Sequence, residues 1–163
     1  ILHFAPELSM ASYFMSMDNV NYLSVDIDPE KAMQKEDITE LSFPDNSFDF
    51  IYCSHILEHV DDDKKAMNEL FRVLKPGGFS ILDVPIDYNR DKTYEDSSII
   101  TPEERAKKFW QWDHVRLYGK DFGVKLESAG FHVEYNKSIS TLDWKVLKCL
   151  QLSDEIIYIS SKK

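Results

Sequence analysis

Glycine does not occur in the first 76 residues, and the whole chain holds only two cysteines. Without glycines between a first strand and a first helix there is no backbone cradle for a pyrophosphate, which counts against a nicotinamide dehydrogenase. Cys53 and Cys149 stand 96 positions apart. They are too few for a disulfide framework or a four-ligand zinc knuckle, and they suit a reducing, cytoplasmic setting. No apolar run reaches the roughly 18 to 20 residues that cross a bilayer, and no basic stretch followed by an apolar one marks a leader. Basic charge is also short. The 19 Lys and Arg against 29 Asp and Glu leave a net charge of −10, a field that repels nucleic acid and anionic lipid. Internal repeats and low-complexity segments are missing as well.

What is present is a chain of 163 residues, 43% hydrophobic and 29% charged, the size of one domain over residues 1–163 with one core. It opens on Ile1, Leu2, His3 and Phe4, an apolar strand without an initiator Met, which raises the expectation that native residues precede it. Short apolar runs alternate with helical patterns, the signature of a doubly wound α/β domain: a mainly parallel sheet with helices on both faces. Strands are expected at Ile1–Phe4, Tyr22–Ile27, a short link up to Ile38, Phe48–Cys53 and Phe79–Val84. Leu8–Met17 reads as a packed crossover helix, apolar on nearly every side. A helix from Asp61 repeats Ala66, Leu70, Val73 and Leu74 at helical spacing and is stopped by Lys75, Pro76, Gly77 and Gly78. Thr101, Pro102, Glu103 and Glu104 form a capping box for a helix toward Trp112, and a further helix spans Lys120–Ala129 before Gly130. Phe131–Tyr135 and Glu155–Ser160 read as closing strands, with a helical stretch between them at 141–150. Residues 86–118 are charged, aromatic and too long for an ordinary connection, and so form a candidate lid or substrate region.

In an open α/β sheet the ligand sits beyond the carboxyl ends of the strands, which directs attention to the residues after each one. These are Ala5, Pro6 and Glu7, then Asp26 and Asp28, then Asp37 and Ile38, then Cys53, Ser54 and His55. A carboxylate at the end of the second strand, Asp26, can accept from both hydroxyls of a ribose. The same position also suits a solvated strand-end acid or a helix cap. Only 11 positions separate Asp26 from Asp37, too few for a full crossover helix.

The strings YLSVDIDP, EDITELSFPDNSFDFIYCSHILEHV and NELFRVLKPGGFSILDVP, and more loosely HVRLYGKDFGVKLESAGF, resemble the class I S-adenosylmethionine-dependent methyltransferases, in the small-molecule branch with LEH after the fourth strand. The resemblance implies a Rossmann-like fold, S-adenosyl-L-methionine as cofactor with S-adenosyl-L-homocysteine as product, and a small-molecule acceptor. It places Asp26 and Ile27 at the ribose, Asp37 at the adenine amino group and the Ile38 backbone at a ring nitrogen. Cys53 and Ser54 would border the methionine portion. Where the family usually carries a glycine-rich loop this chain reads Phe4, Ala5, Pro6 and Glu7, a variant seen in some relatives, with Ala5 small enough for close approach and Glu7 suited to the cofactor's ammonium. For a hydroxyl acceptor, His114 and then His55 are the candidate bases, since imidazole accepts a proton near neutral pH. In related proteins a helix upstream of the first strand helps cover the cofactor.

Two other readings stand beside this one. A non-catalytic methyltransferase-like binding module would keep the sheet without turnover. A zinc-dependent hydrolase would use His55, Glu58 and His59, whose H-x-x-E-H spacing puts two imidazoles one helical turn apart. The preceding strand and following KPGG turn favour the methyltransferase context, so no metal ligand is assigned and His59 is read as a helix-face residue. Phe109, Trp110, Trp112 and Tyr118 gather around Asp113, His114 and Arg116, either to close over a small ligand or to cover the sheet.

Overall fold

Strands that pair in parallel need both faces covered, so short apolar runs alternating with amphipathic ones fold as a sheet between helices. The computed structural model describes residues 1–137 and 156–163. In chain order the elements are β1 (Leu2–Phe4), α1 (Leu8–Met15), β2 (Leu23–Asp26), β3 (Gln34–Lys35), β4 (Phe48–Ser54), α2 (Asp63–Val73), β5 (Leu74–Asp83), β6 (Tyr94–Glu95), α3 (Pro102–Phe109), β7 (Arg116–Leu117), α4 (Phe122–Ser128), β8 (His132–Asn136) and β9 (Ile157–Ser161). Seven strands form one sheet in the order β3-β2-β1-β4-β5-β9-β8, while β6 pairs antiparallel with β7. Strands β1 to β5 run parallel, and β9 is antiparallel to β5 and β8. The expected mainly parallel α/β sheet is therefore what forms.

Alternation along β4 shows how the two faces differ. Ile51 and Cys53 join Leu2, Phe4, Val25 and Leu82 in the main core, against Ala66, Met67, Leu70 and Val73 of α2 and Phe122 and Leu126 of α4. Phe50 and Tyr52 point the other way, edge-on to Phe14 of α1, with His3 and Tyr22 completing an aromatic cluster. Helix α1 is less enclosed than its sequence suggests. Ala11 and Phe14 are buried, but Leu8, Tyr13 and Met15 are exposed.

The KPGG stretch departs from its expected role as a stop. Strand β5 runs through it from Leu74, because Gly77 adopts a positive φ of 80° and a Cβ at Gly78 would lie 2.9 Å from the Asp49 and Lys75 carbonyls. Lys162 locks this bend, its carbonyl accepting from Gly77 N at 2.7 Å and its amide donating to Gly78 O at 3.2 Å. Helix α3 has the expected cap, Thr101 accepting from Glu104 N, but ends at Phe109 because Trp110 turns left-handed. Between Asp26 and Asp37 there is no helix, as their spacing requires. The expected helical stretch at 141–150 lies outside the described residues.

Helix α2 also organises the loop from Glu36 to Ser47. Arg72 donates to Phe43 O at 2.7 Å, Leu41 O at 3.0 Å and Asp45 Oδ1 at 2.9 Å, and pairs with Glu69, whose second oxygen accepts from Leu41 N. The Arg72 guanidinium and the Leu41 amide hold the Glu69 carboxyl below its ordinary value against the opposing effect of burial. Arg72→Ala should lower stability by about 2 kcal/mol in chemical denaturation, since it strips partners from two loop carbonyls and two carboxylates. The folded-state value of Glu69 is depressed, so its contribution is present above the ordinary glutamate range and lost as pH falls through the folded value. The stability gap between wild type and Arg72→Ala should accordingly shrink below about pH 4.5.

Candidate functional site

From β1 the chain moves to β2 and β3 on one side, then crosses back to lay β4 on the other side of β1. The carboxyl ends of β1 and β4 are thus the topological switch point, where an open sheet forms a crevice. Both strands leave through a left-handed residue, Ala5 at φ 43° and His55 at φ 55°. Their amides still complete the ladders, Ala5 N to Val25 O and His55 N to Asp83 O, each at 2.9 Å. Two such residues side by side turn the backbone away sharply and open the crevice, at roughly 1–3 kcal/mol of strain each.

A cleft of about 810 Å³ occupies this position, in the range of small-molecule sites. Its lining comes from Phe4–Ala5, from Val25–Ile27 with Lys31, from Glu36–Thr39, from Ile56 and His59–Asp62 with Lys65, and from Asp113. Of the residues singled out in the sequence, Phe4, Ala5, Asp26, Ile27, Asp37 and Ile38 come together here. Asp26 Oδ1 accepts from Asp28 N at 2.8 Å, which fixes the carboxylate at the strand end. Asp37 accepts from both the amide and the hydroxyl of Thr39 at 2.8 Å, and these bonds, aided by Lys65, hold its carboxyl below the usual range despite partial burial. Beneath it, buried Glu36 accepts from the Ser42 amide and hydroxyl and from Gln34, so the turn presenting Asp37 and Ile38 is held from inside.

Other sequence candidates lie elsewhere. Glu7 is bonded to buried His3, Nε2 to Oε2 at 3.0 Å, with the other His3 nitrogen on Tyr22 OH. Pro6 borders a shallower hollow with Ala11 and Tyr22. Cys53 faces the core, where burial pushes its thiol well up, and Ser54 is buried beside it. None of the four lines the cleft. The H-x-x-E-H segment is not an α-helix: Leu57–His59 is a single 3-10 turn entered from left-handed His55, so the one-turn stacking of His55 over His59 required by the hydrolase reading does not form. His55 instead donates from Nδ1 to Glu58 Oε1 at 3.2 Å, with its side chain 59% exposed.

His114 is buried, packed edge-on against His59 with ring centroids 4.7 Å apart, and its Nδ1 lies 2.8 Å from Phe109 O. His59, not His114 or His55, reaches the cleft, together with Asp113, whose Oδ2 lies 3.4 Å from His59 Nδ1. Burial pushes the Asp113 carboxyl up, but a hydrogen bond from Gln111 and the attraction of His59 and His114 outweigh it and hold it low. The aromatic group around these residues splits: Phe109 and Tyr118 are core, Trp110 and Trp112 are exposed. Lys31, Glu36, Thr39 and the run Val60–Asp62 escaped sequence reading, and His59 was read only as a hydrolase ligand or a helix-face residue; the continuity of EDIT with Asp37 and of HVDD with the LEH motif was the available signal.

The β4–α2 loop is held by Arg116, 3% exposed. Its guanidinium donates to Leu57 O at 2.8 Å, to Val60 O and to Asp61 O at 2.9 Å, and it pairs with Glu95 at 2.8 Å and Asp63 at 3.7 Å. Val115 N donates to Glu58 O, and Tyr118 OH to Asp63 Oδ2 at 2.9 Å.

A methyltransferase-domain family profile matches residues 9–82. The chain is 32% identical over 132 residues to the sterol 24-C-methyltransferase of Yarrowia lipolytica, covering 78% of this chain and 33% of that protein. It is 30% identical over 113 residues to the 2-methyl-6-phytyl-1,4-hydroquinone methyltransferase of Synechocystis sp., covering 68% and 34%. The chain thus spans about a third of these curated relatives, 33% and 34% of their lengths. In structure it resembles an S-adenosylmethionine-dependent methyltransferase from Archaeoglobus fulgidus with a TM-score of 0.62 at 14% identity, over 99% of this chain and 85% of the other. It also resembles the [4+2]-cyclase SpnF with a TM-score of 0.66 at 15% identity, over 99% and 74%.

Replacing Arg116 by Ala removes a charged donor from three loop carbonyls, while Asp63 keeps Lys125 Nζ and Tyr118 OH and Leu57 O keeps Tyr118 OH. It should cost about 2–4 kcal/mol in urea denaturation. Arg116→Lys, a point charge without the planar fork, should recover less than half of that loss.

Proposed function

The chain belongs to the class I S-adenosylmethionine-dependent methyltransferase family, and from that premise we propose that it transfers the methyl group of S-adenosylmethionine to a small-molecule acceptor. The observation that carries this reading is the convergence of Asp26 with Asp37 and Ile38 on one cleft at the switch point. The residues present fit an adenosyl ligand. Asp26, at the end of β2, would accept from the ribose hydroxyls, while Asp37 and the Ile38 backbone would meet the adenine edge. Ala5, without a side chain beyond Cβ, would let the chain approach the ligand where relatives usually use glycine.

When bound, the cofactor supplies an electrophilic methyl group on a sulfonium. The protein's own part is mostly positional, holding the acceptor in line with the methyl group and excluding water. Residues 86–118 are proposed as the acceptor region, since this segment delivers Asp113 to the cleft and Arg116 to the loop that lines it. Of the three imidazoles around Glu58, His59 is the one on the cleft, so a proton leaving an acceptor for this cluster would enter there; His114 and His55 act behind it. No helix among the described residues is long and apolar enough to cross a membrane. A cytoplasmic setting without nucleic-acid partners belongs to the same proposal, and the −10 net charge supports it.

Titration of S-adenosylhomocysteine by calorimetry tests the reading. Binding in the micromolar range that weakens about ten- to a hundredfold in folded Asp26→Ala supports it. Absence of heat from both proteins, in this chain and in one extended to the length of the relatives, overturns it in favour of a binding module.

A further inference from the structure

Next to the cleft, Glu58, His59 and His114 bring a carboxylate oxygen and two imidazole nitrogens within 4.8 Å of one another. Glu58 is 1% exposed, and its Oε2 has no hydrogen-bond partner. A buried carboxylate with an orphaned oxygen is costly unless a cation completes its surroundings. Neither Lys nor Arg pairs with Glu58 among the ion pairs of the described residues; its charged-state neighbours are His55, His59 and His114.

The imidazole hydrogen bonds sharpen the point. His114 Nδ1 faces the Phe109 carbonyl at 2.8 Å, and a carbonyl only accepts, so Nδ1 carries the hydrogen. In a neutral ring Nε2 is then a bare lone pair, and it lies 4.0 Å from Glu58 Oε1. His59 repeats the arrangement, with Nδ1 3.4 Å from the Asp113 carboxylate and Nε2 4.0 Å from the same Glu58 oxygen. With both rings neutral, the two Nε2 lone pairs face Glu58 Oε1, which also accepts from His55 Nδ1, while Oε2 is left without a partner. Each ligand is also backed by a second group: Asp113 behind His59, Phe109 O behind His114, and His55 on Glu58. This is how metal-binding imidazoles are commonly oriented.

We propose that Glu58, His59 and His114 bind one divalent first-row transition-metal ion, departing from the sequence expectation of no metal. Two imidazoles and one carboxylate form the donor set that such ions take with further positions left open. Bonds of about 2.0–2.2 Å place donors about 3–3.5 Å apart, so side-chain shifts of up to about 1 Å close the site. Of the three ligands only His59 lines the cleft, so the ion would lie next to that wall of it. An acceptor bearing a hydroxyl or carbonyl oxygen is the class such an ion orients; this role, unlike the binding itself, rests on the methyl-transfer reading.

The test is equilibrium dialysis of chelator-treated protein against Mn²⁺, Co²⁺ or Zn²⁺ singly, with bound metal measured by mass spectrometry and the Co²⁺ form read by visible absorption. One equivalent per chain is expected for at least one ion, with affinity reduced at least tenfold in isosteric Glu58→Gln and in His59→Ala. His132→Ala, which removes an exposed imidazole of β8 outside the cluster, should keep one equivalent with an unchanged Co²⁺ spectrum. Circular dichroism establishes that each variant is folded. Substoichiometric metal, or the same affinity in wild type and Glu58→Gln, overturns the proposal and makes the cluster a proton-sharing one. S-adenosylhomocysteine titrated into the metal-free protein reports on the adenosyl site separately, so failure of either reading is seen alone.

Discussion

The capture of the β4–α2 loop carbonyls by buried Arg116 is the interaction on which the rest of the molecule depends. After β4 the backbone follows neither sheet nor α-helix until Asp63; within the segment the Leu57 carbonyl gains only a long 3.4 Å bond from Val60 N, and the donors to the Val60 and Asp61 carbonyls come from Arg116. One planar guanidinium supplies them and spends its remaining edge on Glu95 and Asp63. The consequence is mechanical. Residues 57–61, which carry His59 and Asp61 to the cleft, are fastened to β7, and β7 is paired with β6 in the segment proposed to meet the acceptor. The β6–β7 pair and residues 57–61 therefore cannot move independently without breaking a buried charged cluster.

A second constraint acts at the switch point. Ala5 and His55 hold left-handed conformations at adjacent strand ends, where glycine would relieve the backbone. The strain is offset by ladder bonds to Val25 and Asp83 and by the core beneath β1 and β4. It also explains why Glu7 is absent from the cleft. Once Ala5 has turned the chain, Glu7 stands over His3 and meets a buried imidazole flanked by Tyr22. The nearby aromatic cluster then holds α1 through Phe14, leaving Leu8 and Met15 in solvent.

These features show what the sequence can and cannot reveal. The place of Asp26, Asp37 and Ile38 on the cleft was legible because it follows from position after a strand, a local property. Helix α2 was legible for the same reason, since its apolar spacing repeats within the segment. The link between Asp113 and His59, or between Arg116 and Leu57, joins residues more than fifty positions apart and leaves no local trace. KPGG misleads because its turn chemistry is real, yet Lys162, distant in sequence, supplies the pairing that makes it strand. The H-x-x-E-H spacing misleads in the opposite way: it assumes a helical turn where left-handed His55 and a 3-10 turn set the geometry, so the imidazole that joins Glu58 and His59 is His114, not a stacked His55.

Charge around the cleft narrows what can enter it. Asp26, Glu36, Asp37, Asp61, Asp62 and Asp113 line it against Lys31 and Lys65, so a net negative field surrounds the space. A pyrophosphate would be repelled twice over, by these carboxylates and by the lack of a glycine cradle after β1. A ligand carrying a sulfonium and an ammonium meets the opposite situation and would gain from the same carboxylates. Glu36 and Asp37 show that this negative charge is sustained by donors from the protein itself, Ser42, Gln34 and Thr39, and not only by solvent. The field is therefore built into the fold before any ligand arrives, and it favours a cationic ligand over an anionic one throughout the cleft.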